Sequence, residues 1–198
     1  MSFMKNFNGE LYLAETIKLF RYYKILAEKA MEQLEKDQLF YSADPDKVNS
    51  IAVIINHLHG NMTSRWTDFL TTDGEKTWRD RDSEFQEPIQ DFEDIMRKWD
   101  LGWACLFQTL ESIKEDQLGD IVYIRNEGHT VMEAIQRQLA HYPMHVGQII
   151  FYAKQLKQST WTSLSIPRGK SGEYNSGKFG QEKQTRNFTD EELRRLQK

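Results

Sequence analysis

The sequence predicts an all-α protein built as a four-helix bundle, and three observations carry that prediction. Apolar residues recur at three-and-four spacing through four long stretches. Strand-like patterning is confined to one short run, Ile121-Val122-Tyr123-Ile124. The chain of 198 residues is long enough for one well-buried core and too short for several.

The first helix covers residues 9–36, where Leu11, Ala14, Ile17, Phe20, Tyr23, Leu26, Ala30 and Leu34 keep a broad stripe with charges between them. Asp44-Pro45-Asp46 breaks it, and Asn49 or Ser50 can accept the free amide donors that open the next helix. The second helix carries Ile51, Ile54, Ile55, Leu58, Met62, Trp66 and Phe69, and ends before Thr71-Thr72-Asp73-Gly74, where Asp-Gly favours a turn. Residues 74–86 are polar and dense in both charges, so they read as a long connection. Pro88 suits the first turn of a third helix that buries Phe92, Ile95, Met96, Trp99, Trp103, Leu106, Phe107 and Leu110. The run at Ile121, followed by Arg125-Asn126-Glu127-Gly128-His129, predicts a short hairpin before the last long helix. Thr130 with Glu133 three residues on is a capping-box signature for that helix, which runs over residues 131–156 with Val131, Ile135, Leu139, Tyr142, Val146, Ile149 and Ala153 as its stripe. Pro143 removes a backbone donor inside it, and a kink or local loosening is expected there.

After Gln158 the composition shifts to Ser, Gly, Lys and Asn. The expected organisation is a bundle over residues 1–158 and a loop-rich C-terminal extension over 159–198, packed on the bundle and partly flexible. Trp161, Leu164, Ile166 and Pro167 are its expected anchors, and Thr189-Asp190-Glu191-Glu192 can begin a last short helix that buries little. Gly169-Lys170-Ser171 is no phosphate loop, because the glycine that motif needs upstream is Leu164 here.

Composition removes several classes of function. With 28% charged and 12% aromatic residues, and no apolar run of spanning length, neither a disordered nor a membrane-embedded chain is expected. A net charge of -4 argues against a nucleic-acid partner, which needs a basic stripe. The residues Met1 to Phe7 lack the apolar core of a signal peptide, and the single Cys105 cannot make an internal disulfide, so a cytoplasmic location is expected.

The chemistry concentrates in Leu139-Ala140-His141-Tyr142-Pro143-Met144-His145-Val146-Gly147-Gln148. Two imidazoles four residues apart lie one helical turn above each other and can share a metal. Both sit on a flank of the stripe, about a quarter turn from its centre at about 100° per residue. A third ligand must come from a facing helix, and the second helix offers His57 and His59. Being two residues apart, they face opposite flanks, and periodicity mildly prefers His59, at roughly 75° from the stripe centre against roughly 125° for His57. His129 is a weaker rival near the entry to the last long helix.

The run from His57-Leu58-His59-Gly60-Asn61 through Ser64-Arg65-Trp66-Thr67-Asp68-Phe69-Leu70 to Asp73-Gly74-Glu75-Lys76, the Arg79-Asp80-Arg81-Asp82 segment, and His141 to Gln148 resemble the DinB-like superfamily. More narrowly, they are similar to its branch with an HLxGNxxSRxxDFLTxDGEK motif and an HxxxHVGQI motif. The resemblance extends to Ser165-Ile166-Pro167-Arg168-Gly169 and so covers most of the chain. It implies an up-down-down-up helix order, one metal held by three histidines, and homodimers. Its fixed first histidine falls on His57, so the implied ligand set is His57, His141 and His145.

Three protein ligands leave positions open for water or substrate. The ligand set suits several divalent metals, with zinc or nickel foremost. The resemblance to transferases that use bacillithiol or mycothiol implies activation of a low-molecular-weight thiol for attack on an electrophile, in detoxification or stress. The alternatives are a hydrolase using metal-bound hydroxide and a non-catalytic, metal-stabilised stress protein. Asn61, Arg65 and Gln148 are candidates for the catalytic surroundings. Arg65, Arg79, Arg81 and Arg125 can bind a carboxylate of an anionic thiol, although ion pairs with Asp68, Asp80 or Asp82 are the expected fate of most. Asp73 or Glu75 could serve as a general base, whereas Asp73-Gly74 reads first as a turn. Cys105 is expected to pack rather than react.

Overall fold

The computed structural model describes residues 7–86 and 91–197. Among these the protein is mostly helical, with helices α1 (Gly9–Met31), α2 (Ile51–Trp66), α3 (Phe92–Ser112), α4 (Val131–Lys157), α5 (Ser171–Phe179) and α6 (Phe188–Leu196). Strands β1 (Ile121–Ile124) and β2 (Glu127–Thr130) form one hairpin between α3 and α4. Pro88 lies outside the described residues. Among the described residues no helix is long and apolar enough to cross a membrane.

Each long helix starts where a side chain can satisfy its free amides. Asn8 accepts from the Leu11 amide at 2.8 Å, Ser50 from Val53 at 3.1 Å and Thr130 from Glu133 at 3.1 Å. The Thr130 cap is not a reciprocal box, because the Glu133 carboxylate turns to His129 instead, 3.3 Å from its Nδ1. The first helix stops at Met31, short of the expected residue 36, and a 3-10 turn over Lys36–Phe40 tucks Leu39 and Phe40 into the core. The last long helix runs unbroken through Pro143, whose missing amide falls among half-buried flank residues.

The four long helices share one apolar core, with α1 packed on α3 and α4, and α2 packed on α3 and α4. Its centre is aromatic: Phe20, Trp99, Trp103 and Tyr142 meet at ring separations of 5.4 to 6.4 Å, mostly edge to face. Gly102 lets α3 approach α2 closely, since a Cβ there would stand 3.2 Å from the His59 Cα. The hairpin turns through Arg125 and Asn126, both at positive φ (56° and 62°), which is the backbone a two-residue turn needs to match strand twist.

In the C-terminal part, Trp161 and Leu164 pack against the core, whereas Ile166 and Pro167 are exposed. Helix α5 buries nothing. Helix α6, capped by Asn187, lies on α1 and buries Thr189 and Leu196.

Candidate metal centre

The second helix is apolar on almost every side, with Ile51 to Ile55, Leu58, Met62 and Trp66 all buried. Its two histidines consequently leave on opposite faces. His59 faces α3, where burial and the Lys98 charge lower its pKa, and its Nδ1 has no hydrogen-bond partner. His57 faces α4 and is buried. There it meets the pair from α4, with ring centroids 4.9 Å from His145 and 5.6 Å from His141. One ligand nitrogen from each of His57, His141 and His145 lies within 4.8 Å of the others. The Nε2 atoms of His141 and His145 are 3.1 Å apart, close to the edge of about 3.3 Å that a tetrahedral zinc site with bonds near 2.05 Å would require. His129 stays apart, between Glu133 and Arg137.

The outward nitrogens of two of these rings are already taken, so their inward nitrogens face one another. The His57 Nδ1 is 2.9 Å from the Glu84 carboxylate and the His145 Nδ1 is 2.8 Å from the Gln148 Oε1. A carboxylate and an amide oxygen both accept, which makes Nδ1 the donor in each ring and leaves Nε2 as the nitrogen that a neutral ring offers to a metal. This donor arrangement fits a divalent cation.

Glu84 comes from the stretch read from sequence as a polar connection. It is held there by Arg79, whose Nε and Nη2 donate to the two carboxylate oxygens at 2.7 and 2.9 Å, and whose Nη1 donates to Glu75 at 3.0 Å. The Arg79 side chain is only 2% exposed. Burial alone would raise the Glu84 pKa, but the His57 and Arg79 contacts outweigh it and hold the carboxyl below its usual value. Gly60, one turn beyond His57, makes the space: a Cβ there would lie 2.2 Å from Glu84 Oε1. Phe85 then stacks on the His57 ring at 4.6 Å, and the Arg81 guanidinium lies 4.9 Å from the Phe85 ring centre.

The same loop is tied to the hairpin. The Asp73 carboxylate accepts from the Arg125, Asn126 and Glu75 amides at 2.9, 2.8 and 2.7 Å, and the Gly74 amide donates to the Tyr123 carbonyl at 2.8 Å. Burial works against the Asp73 charge, yet the three donors win and lower its pKa. Asp73 is therefore a clamp for the turn. Ser64 of α2 adds a second tie, donating to the Gly74 carbonyl and accepting from the Lys76 amide.

Of the other candidates, Asn61 is buried and accepts from the Tyr142 hydroxyl at 3.0 Å, which in turn accepts from Trp66 Nε1 at 3.0 Å. Arg65 is buried with its Nε and Nη1 unpartnered. Gln148 is committed to His145. Among the described residues the arginines do not pair with Asp68, Asp80 or Asp82 as expected; Arg79 pairs with Glu84 and Glu75, and Arg125 with Glu75 at 3.4 Å. Cys105 is half-buried, 3.7 Å from Thr67 Oγ1, and burial pushes its thiol pKa up.

These groups surround an open pocket of about 460 Å³ lined by the three histidines, Asn61, Gln138 and five arginines. Burial, the neighbouring imidazoles and the Arg65 and Arg79 charges push the His141 pKa from 6.5 down to about 3. Burial lowers that of His145 as well. Neutral imidazoles are what metal ligation requires.

The profile of a DinB-like family described as "Protein of unknown function (DUF1572)" matches residues 7–170. The chain belongs to the DUF1572 family. Comparisons with curated proteins and with solved structures return no match. The match spans the four long helices and the hairpin, and ends where Lys170 precedes α5, so α5 and α6 lie beyond it.

Sequence reasoning missed Glu84, Phe85 and Gln138. The one signal for Glu84 was local: a glycine three residues after a histidine on an otherwise bulky helix leaves room for a neighbour.

Proposed function

We propose that this DUF1572 protein is a metal-dependent enzyme in which His57, His141 and His145 hold one divalent cation, zinc or nickel foremost, and a low-molecular-weight thiol is transferred to an electrophile. The observation that carries the metal reading is the meeting of three imidazoles from two helices, with ligand nitrogens within 4.8 Å of one another, at an open pocket. Its volume of about 460 Å³ falls in the range of small-molecule sites. Held by these three histidines, a divalent cation would supply the positive charge that lowers the pKa of a thiol or a water.

The chain's own residues prepare the site. Glu84 fixes the His57 tautomer and Gln148 that of His145, so both are positioning residues that spare the cation the work of reorienting its ligands. Phe85 covers one face of His57 and limits water on that side. Asn61, held by Tyr142, and Arg65 line the pocket, where a substrate would sit. The up-down-down-up order of the four long helices is part of the same proposal.

Metal content by mass spectrometry on untagged protein tests the reading. About one metal per chain, lost in His57→Ala, His141→Ala and His145→Ala but kept in His59→Ala, is the expected result. No uptake after loading with Zn²⁺, Ni²⁺, Mn²⁺ and Fe²⁺, or metal retained in His57→Ala and lost in His59→Ala, overturns it. The loaded protein should conjugate a chromogenic aryl halide only when bacillithiol or mycothiol is supplied. Turnover of esters or amides without thiol would replace the transferase reading with hydrolysis.

A further inference from the structure

Cation charge is concentrated around the pocket out of proportion to the whole chain. The protein carries a formal net charge of -4, yet Arg65, Arg79, Arg81, Arg125 and Arg137 all line this one cavity. Among the described residues, the ion pairs these arginines make go to two carboxylates, Glu75 and Glu84. Arg79 is absorbed by them, Arg81 lies on Phe85, and Arg137 reaches His129 at 3.5 Å.

Arg65 is different. It is 4% exposed, makes no ion pair among the described residues, and its Nε and Nη1 have no hydrogen-bond partner. A buried guanidinium without an anion is costly, because desolvation is not repaid by any acceptor. The surrounding chain nevertheless makes room for it: a Cβ on Gly74 would stand 2.6 Å from Arg65 Nη1. Gln138, 2% exposed, adds a second unpartnered polar atom, its Oε1, at the same pocket.

Resting on the reading of this pocket as a substrate site, we infer that Arg65 anchors an oxyanion, a carboxylate or phosphate, carried by the small molecule that binds beside the three histidines. A planar guanidinium offers paired N–H donors that match either group. The surplus of arginines over acids in the lining raises the local concentration of anions. Gln138 is placed to meet a hydroxyl or amine of the same ligand.

The probes are succinate and inorganic phosphate, titrated calorimetrically into full-length protein at matched ionic strength, both metal-stripped and metal-loaded, with chloride as control. Saturable binding of one of them at one per chain, weakened at least tenfold in Arg65→Met, is expected; succinate alone identifies a carboxylate ligand and phosphate alone a phosphorylated one. Arg65→Lys should lose most of the affinity too, since an ammonium lacks the fork. Without anion, Arg65→Met should melt at the same temperature as the parent chain or higher, because it removes an unpaired buried charge. No saturable binding tighter than about 10 mM by either probe, or equal affinity in Arg65→Met, overturns the proposal, as does a fall in melting temperature with anion affinity unchanged. A chain that holds stoichiometric metal but binds neither anion overturns this inference alone. A chain that takes up no metal on loading yet binds the anion through Arg65 supports it and overturns only the metal reading.

Discussion

Replacing Glu84 by Gln tests whether the carboxylate positions His57 as the proposed metal ligand. The substitution keeps the volume in the space above Gly60 but removes the charge that Arg79 and His57 share at 2.7 to 2.9 Å. Two consequences follow, and they are separable. Arg79, at 2% exposure, is left with only Glu75, so the metal-free protein should lose about 3 kcal/mol, the lower end of what breaking a buried pair costs, because an amide oxygen still accepts one bond. The His57 ring exchanges a charged acceptor for a neutral amide, and outer-partner losses of this kind weaken metal binding by about 10- to 100-fold, or about 1.4 to 2.7 kcal/mol. Urea unfolding of stripped protein reads the first, and competition with a chromophoric chelator the second. Glu84→Gln combined with Arg79→Met should recover stability, since no charge is then stranded, without recovering metal affinity. Unchanged metal affinity in Glu84→Gln, with normal folding, would refute the positioning role.

Tyr142→Phe should destabilise the chain by about 1 to 3 kcal/mol in thermal or urea unfolding, since it strands the buried Trp66 Nε1 donor and the Asn61 acceptor together. A loss below about 0.5 kcal/mol would mean that the two groups find other partners. Gly60→Ala should lower both melting temperature and metal affinity by pushing the Glu84 carboxylate off His57, and a crystal structure showing Glu84 unmoved would contradict the steric argument. Metal-stripped protein should weaken as pH falls. The folded-state pKa of His141 lies at about 3 against 6.5, so below the latter the unfolded chain takes up the proton first and stability drains away toward the former. The lowered values of His145 and Glu84 act in the same direction. Urea midpoints that rise between about pH 7.5 and about pH 5 would show the sign to be wrong.

Much of the fold was legible because its signals are local. Helix spacing, the Ser50 and Thr130 caps and the short hairpin depend on residues within a turn or two of each other. The periodicity argument preferred His59 because it assumed a helix with one buried face. Helix α2 is instead covered by α3 on one side and by α4 with the Ser83–Phe85 turn on the other, so distance from a stripe centre carries no information about which histidine meets α4.

The sequence by itself determined which residues could ligate: an imidazole pair one turn apart on an amphipathic helix follows from spacing alone, whatever surrounds it. Only the tertiary structure decided what completes the site. Glu84 reaches His57 across 27 positions, and Arg65 and Gln138 matter because they are buried without partners. Those are contacts between segments that share no local pattern, brought together by Asp73 clamping the loop to the hairpin and by the space left at Gly60. A charge-dense stretch reads as solvated until the fold shows that its carboxylate is buried against an imidazole.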